Sequence, residues 1–219
     1  MSAKSVTYNF TSRKRAFGNH WLIFSNKAQC VLSLLSDREV AHWVLNLEFC
    51  SNIKSFEFGD YEVEIEINGE KIFAKYRLRV ESNKGVEYHK ISVSKGEQSK
   101  RDAGFLDNFL WREKHIRFRH ITDEDLNCQR QKIFPLLKLS AFLTASRGQY
   151  IPPNLIDSAN LYFSRFRKGT LLHCLAALNE YSKTTVMLQI YRLYNSGKIL
   201  IVFEETPFLL DSEWSLNNE

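Results

Sequence analysis

The side chains best suited to chemistry in this 219-residue chain are carboxylates on regular elements. Glu39 follows Ser36 by three positions and opens an apolar run of Val40, Trp43, Val44 and Leu47, which has the 3–4 spacing of a helix. Ser-x-x-Glu is also a capping box, so closing the helix start is a sufficient role for Glu39. Glu62, Glu64 and Glu66 alternate with Tyr61, Val63, Ile65 and Ile67, which sets them on one face of a strand. Glu81 and Glu87 flank the following turn. Paired carboxylates hold a hard divalent cation, and a lysine near the attacking water or the scissile phosphate completes a metal nuclease. Such enzymes place one acid on a helix, one on a hairpin strand and an acid-x-lysine on the partner strand. The helix, hairpin and turn are all in place here. A relocated site needs two of the strand acids to converge with Glu39; a solvated strand face is the commoner meaning of such a pattern.

Other reactive residues carry less. The six histidines, His20, His42, His89, His115, His120 and His173, lack metal-ligand spacing such as HExxH. His42, one turn from Glu39, is within reach of it, but a satisfied surface or core histidine is the commoner case. Cys30, Cys50, Cys128 and Cys174 lie far apart with no CxxC pair, which argues against structural zinc and reads as buried thiols in a reducing compartment. No GxSxG, P-loop or GxGxxG sequence supports a serine hydrolase, an NTPase or a dinucleotide-binding protein.

The net charge of +5 is uneven: residues 1–121 hold 20 Lys/Arg against 15 Asp/Glu, and residues 122–219 hold 10 against 10. Two basic clusters stand out, Arg13-Lys14-Arg15 and the set Arg112, Lys114, Arg117 and Arg119. Such clusters attract phosphates by counterion release, although each alone is equally a solubilising face. A hydrophobic content of 44% suits a globular core. The N-terminus has no apolar signal segment and no run of about 18 apolar residues occurs, so a cytoplasmic chain with no membrane partner is expected.

These side chains must be positioned by two units. In the first, residues 1–121, an extended entry to about Leu34 leads into the Ser36-capped helix. Three strands follow, joined by Asn68-Gly69 and by the ESNKG turn, and KHIRFRHI (114–121) reads as one more. The expectation is an α+β domain with a mainly antiparallel or mixed sheet. The second unit, residues 122–219, opens on Thr122 with acids in the first turn of a helix that is broken or kinked near Pro135. Further helices follow Pro152-Pro153, span TLLHCLAAL, and run from the cap Ser182 to Gly197. KILIVFEETPFLL closes as two short strands around a turn. Helix, turn, helix and hairpin is the order of a winged helix. In that reading Lys183, Thr184, Thr185, Gln189 and Arg192 face outward, where they either meet DNA or leave the unit to dock a partner.

The segments SRKRAFG, FSNK, LLSDREVAHWVLNLEF and IKSFEF within residues 12–70, and the junction IRFRHITDEDL (116–126), resemble TnsA, the endonuclease subunit of heteromeric cut-and-paste transposases. The resemblance covers most of the chain. It implies a restriction-endonuclease-like first domain and a winged-helix-like second one. It aligns Glu39 with the helix acid of the nuclease. It sets Arg77, or Tyr76 in a slipped register, where the family carries an aspartate. On the partner strand it offers Lys90 or Lys95 as the lysine, and Ser92 in place of the paired acid. Arginine repels a divalent cation and supplies no carboxylate ligand.

The implied protein is therefore a non-cutting TnsA-like subunit. It would bind transposon-end DNA through the two basic clusters with Lys183 and Arg192, and dock on a transposase subunit or an ATPase regulator of transposition. It would need no metal or cofactor. The alternatives are an active endonuclease using Mg²⁺ with a displaced acid, and a winged-helix DNA-binding regulator.

Overall fold

The computed structural model describes residues 19–67, 70–91, 117–202 and 208–217. The first of these open with a hairpin of β1 (Trp21–Ser25) and β2 (Cys30–Leu34). Ser36 then caps α1 (Asp37–His42), its hydroxyl accepting from the Glu39 amide at 3.2 Å. The Glu39 carboxylate in turn accepts from the Leu35 amide, one residue before the cap, so the cap hydroxyl serves an orphan donor of the helix and the carboxylate pins the entering chain. The helix widens into a π-helical turn, Trp43–Glu48, which buries Trp43, Val44 and Leu47. Glu48 is buried with them. It accepts from Ser25 Oγ at 2.6 Å and from the Lys27 amide at 3.0 Å, tying the hairpin turn to the helix. Burial pushes its carboxyl up from the ordinary value, and these donors offset part of that.

A four-stranded sheet follows, in the order β3-β4-β5-β6. Strands β3 (Ile53–Ile67), β4 (Glu70–Ser82) and β5 (Gly85–Ile91) form an antiparallel meander, and β6 (Arg117–Ile121) lies parallel to β5. The sheet is mixed for that reason. A parallel neighbour cannot be reached by a tight turn, which is why β5 and β6 are not adjacent in sequence. Between Phe58 and Tyr61 the register of β3 on β4 shifts, so that two residues of β3 oppose Arg77 alone. This is a β-bulge, which bends a strand and re-aims its side chains.

The remaining elements are mainly helical: α2 (Asp123–Asn127), α3 (Ile133–Ala145), α4 (Pro153–Phe166), α5 (Leu171–Ala177) and α6 (Lys183–Asn195). Thr122 and Asp125 form a capping box at α2. The interruption expected near Pro135 lies earlier: α2 ends at Asn127, a 3₁₀ turn spans Arg130–Lys132, and Pro135 sits in the first turn of α3. An amide there has no intrahelical acceptor, so proline costs nothing. Strands β7 (Lys168–Thr170), β8 (Ile199–Ile201) and β9 (Glu213–Leu216) form a second sheet with β9 in the middle. The closing strand is thus EWSL rather than the apolar FLL segment, because Trp214 is the residue that fills the core.

One cluster of buried apolar residues runs from Leu34, Trp43 and Leu47 through Leu136, Leu139 and Leu143 to Tyr191 and Trp214. It crosses the expected boundary at residue 121 without interruption. The thiols depart from expectation. Cys174 alone is buried, its thiol pushed up to about 12 by that burial, whereas Cys30 and Cys128 are exposed. Among the described residues no helix is long and apolar enough to cross a membrane.

Candidate functional site

Glu39 and Arg77 lie side by side. Arg77 Nε lies 4.0 Å from Glu39 Oε1 and 3.8 Å from Asp60 Oδ1. The bulge accounts for the second contact, since Asp60 is one of the two residues that oppose Arg77. A guanidinium therefore stands between a buried carboxylate and an exposed one. The donor set does not fit a divalent cation. Arg77 would face it at contact range, and one oxygen of Glu39 is already taken by the Leu35 amide. Among the described residues no three His, Cys, Asp or Glu side chains form a group able to hold a metal ion.

A second constellation lies on the partner strand, where residue types alone gave little warning. Burial along β5 alternates, so that Glu87 and His89 turn inward while Lys90 is exposed. His89 Nε2 lies 3.3 Å from Glu87 Oε2, and His89 Nδ1 lies 2.9 Å from His42 Nε2 on α1. Asn46 Nδ2 reaches His42 Nδ1 at 3.0 Å. The end groups fix the direction of the chain. The asparagine amide donates to His42, His42 Nε2–H donates to His89, and His89 Nε2–H donates to the carboxylate. Both imidazoles are neutral in this arrangement. Burial holds His42 well below the ordinary 6.5, and the positive charge of Arg119 acts in the same direction. The hydrogen bond from His89 holds the Glu87 carboxyl below its ordinary value against the effect of burial.

The far side of Glu87 faces cations. The parallel register sets Glu87 beside Arg117 and His89 beside Arg119. Arg117 Nη1 is 3.9 Å from Glu87 Oε1 and Arg119 Nη1 is 3.8 Å from Glu87 Oε2. Both arginines line an open cleft of about 660 Å³ together with Lys84, Asn46, Asn52 and Ser82. Glu39 and Arg77 are not part of its lining.

No family model and no curated protein matches this chain.

Arg13, Lys14, Arg15, Ser92, Lys95, Arg112 and Lys114 lie outside the described residues. On α6, Lys183 and Thr184 are exposed, but Gln189 is 6% exposed and belongs to the interior, which corrects the outward-facing reading of that helix. Thr185 Oγ1 accepts from Gln149 Nε2 at 3.1 Å. Arg192 directs Nη2 at the carbonyls of Arg147 and Gln149, 3.4 and 3.5 Å away. The helix is apolar nearly all round from Val186 to Tyr191, and such a helix is buried. Its C-terminal end packs inside this chain, where Tyr194 stacks on Phe49 at 5.7 Å. The sequence signal that could have revealed the Glu87–His89 pair is its i, i+2 spacing in a half-buried strand, which puts acid and imidazole on one face.

Proposed function

We propose that the chain is a TnsA-like DNA-binding subunit of a heteromeric cut-and-paste transposition machinery, and that it does not cut DNA. The helix-then-meander order with a parallel fourth strand supports a restriction-endonuclease-like first unit. The order α4, β7, α5, α6, β8, β9, with β9 central in its sheet, supports a winged-helix-like second unit. The observation that carries the reading is Arg77 between Glu39 and Asp60, a position where a metal nuclease of this layout would hold its cation. Glu87, the acid of the partner strand, is committed to His89 and two arginines, which speaks against a displaced metal site. Burial of α6 speaks against a regulator that reads bases with that helix. DNA contact then falls to phosphate-directed cations such as Arg117 and Arg119, and the second unit serves to pack and to dock a transposase subunit or an ATPase regulator.

The test is a plasmid assay with Mg²⁺ or Mn²⁺, paired with calorimetry of the same metals. Duplex binding without nicking, no metal uptake, and no cleavage by Arg77→Asp are expected. Metal-dependent nicking by the wild-type chain would overturn the reading.

A further inference from the structure

The cleft beside Glu87 carries an assignment of its own. Its lining holds three cations, Lys84, Arg117 and Arg119, against one carboxylate, so its net charge is positive. The two arginines sit two residues apart on β6, about 7 Å along the strand, and point to the same side of the sheet. Glu87 lies between them at 3.8 and 3.9 Å. These distances exceed a hydrogen bond, so the carboxylate sets the two guanidinium groups by charge. Glu87 is itself fixed from behind by His89 and by Ser82 Oγ at 3.3 Å. Lys84 enters from the β4–β5 turn, and Asn52, whose Oδ1 accepts from Asn83 Nδ2, adds a neutral amide donor. Planar guanidinium forks on a braced base suit tetrahedral oxyanions, with the lysine as a point charge. A volume of about 660 Å³ admits more than a bare ion.

We infer that this cleft is a phosphate-binding site, distinct from the Glu39–Arg77 locus, that takes the phosphate of a nucleotide unit. The phosphate is supplied either by a nucleic-acid backbone or by a free mononucleotide. For the backbone source the inference rests on the DNA-binding reading above.

The experiment uses the full chain and two probes. One is a fluorescein-labelled 20-base-pair duplex of arbitrary sequence, followed by anisotropy across a salt series; the other is dAMP, followed by calorimetry. Lys84→Ala/Arg119→Ala is compared with Lys138→Ala/Lys168→Ala, which removes two exposed cations outside the cleft lining. Thermal melts confirm that all variants fold. If the duplex is the source, the cleft variant weakens its binding about tenfold and lowers the log–log salt slope by about 1.8, whereas the control changes less. If a mononucleotide is the source, dAMP binding is lost in the cleft variant alone. Unchanged affinity for both probes in the cleft variant, or an equal loss in the control, overturns the site while leaving duplex binding by the wild type, and with it the proposed function, intact. Metal-dependent nicking would instead overturn the non-cutting function and leave the cleft standing.

Discussion

His42 Nε2 stands 2.9 Å from His89 Nδ1, and neither ring is open to solvent. Two imidazoles in contact cannot both carry an extra proton, and burial away from water makes even the first one costly. The fold therefore favours neutral His42, whose pKa lies well below 6.5. The unfolded chain takes up protons first as pH falls, so stability drops from about pH 6.5 downward until the folded value is reached. Glu87 acts in the same sense lower on the scale. Its depressed value gives stability above the ordinary carboxylate range that is lost as pH falls through the folded value. Glu48, raised by burial, opposes this in the acid range. Thermal melts between pH 8 and pH 5 are expected to show a falling Tm. His42→Leu is expected to flatten that dependence and to cost about 1–3 kcal/mol at neutral pH, because it strands a buried acceptor on His89.

Glu39→Ala removes the acceptor of the Leu35 amide and the counter-charge of Arg77 at once. A loss of about 1–3 kcal/mol is expected in urea unfolding. Glu39→Gln keeps an acceptor oxygen, and recovery of most of that loss would identify capping, rather than charge, as the larger structural role of Glu39.

Gly197 lies between α6 and β8 and packs against Ser51, just before the first strand of the four-stranded sheet. Its φ is +73°, and an added Cβ would fall 2.2 Å from Ser51 Cβ and 3.0 Å from Ser51 Cα. Gly197→Ala is expected to destabilise by about 2–5 kcal/mol, combining left-handed backbone strain with overpacking. Ser51→Gly in the same chain is expected to relieve the steric part, a coupling that a double-mutant cycle would measure.

Leu139 is fully buried in the cluster that crosses residue 121. Leu139→Ala is expected to cost about 2–5 kcal/mol. Fluorescence and far-ultraviolet circular dichroism should then lose signal together, because the buried Trp43 and Trp214 belong to the same cluster. Separated transitions would contradict the shared core.

The parts of this structure that sequence reveals are those governed by near neighbours. Ser36 and Glu39 announce the start of α1, Thr122 and its acids that of α2, and Ser182 and Gly197 bracket α6, since caps act within four residues. The hairpin strands are legible from alternation. Alternation names a face but not a partner, and so the parallel seat of β6 beside β5 was not readable. Nor was β7, whose three residues are too few to show a period. Gln189 looked like a surface residue because polar side chains usually are, yet packing overrode that tendency. The candidate site divides in the same way. The neighbourhood of Glu39 and Arg77 is one that the TnsA resemblance implies, whereas the His42–His89–Glu87 chain needs two residues 47 apart to be brought together.

The parallel seat of β6 also has a kinetic side. Strands β3, β4 and β5 close through adjacent turns, a local search that a nascent chain completes quickly. The fourth strand can join only after residues up to Ile121 have been synthesised, and its partner β5 is far off in sequence, so this pairing is the slower one. During synthesis, then, Glu87 exists before its arginines do. The carboxylate stands at the sheet edge until β6 sets Arg117 and Arg119 beside it. The edge that awaits β6 is thereby electrostatically marked for a basic strand, which guards it against pairing with an acidic or neutral one.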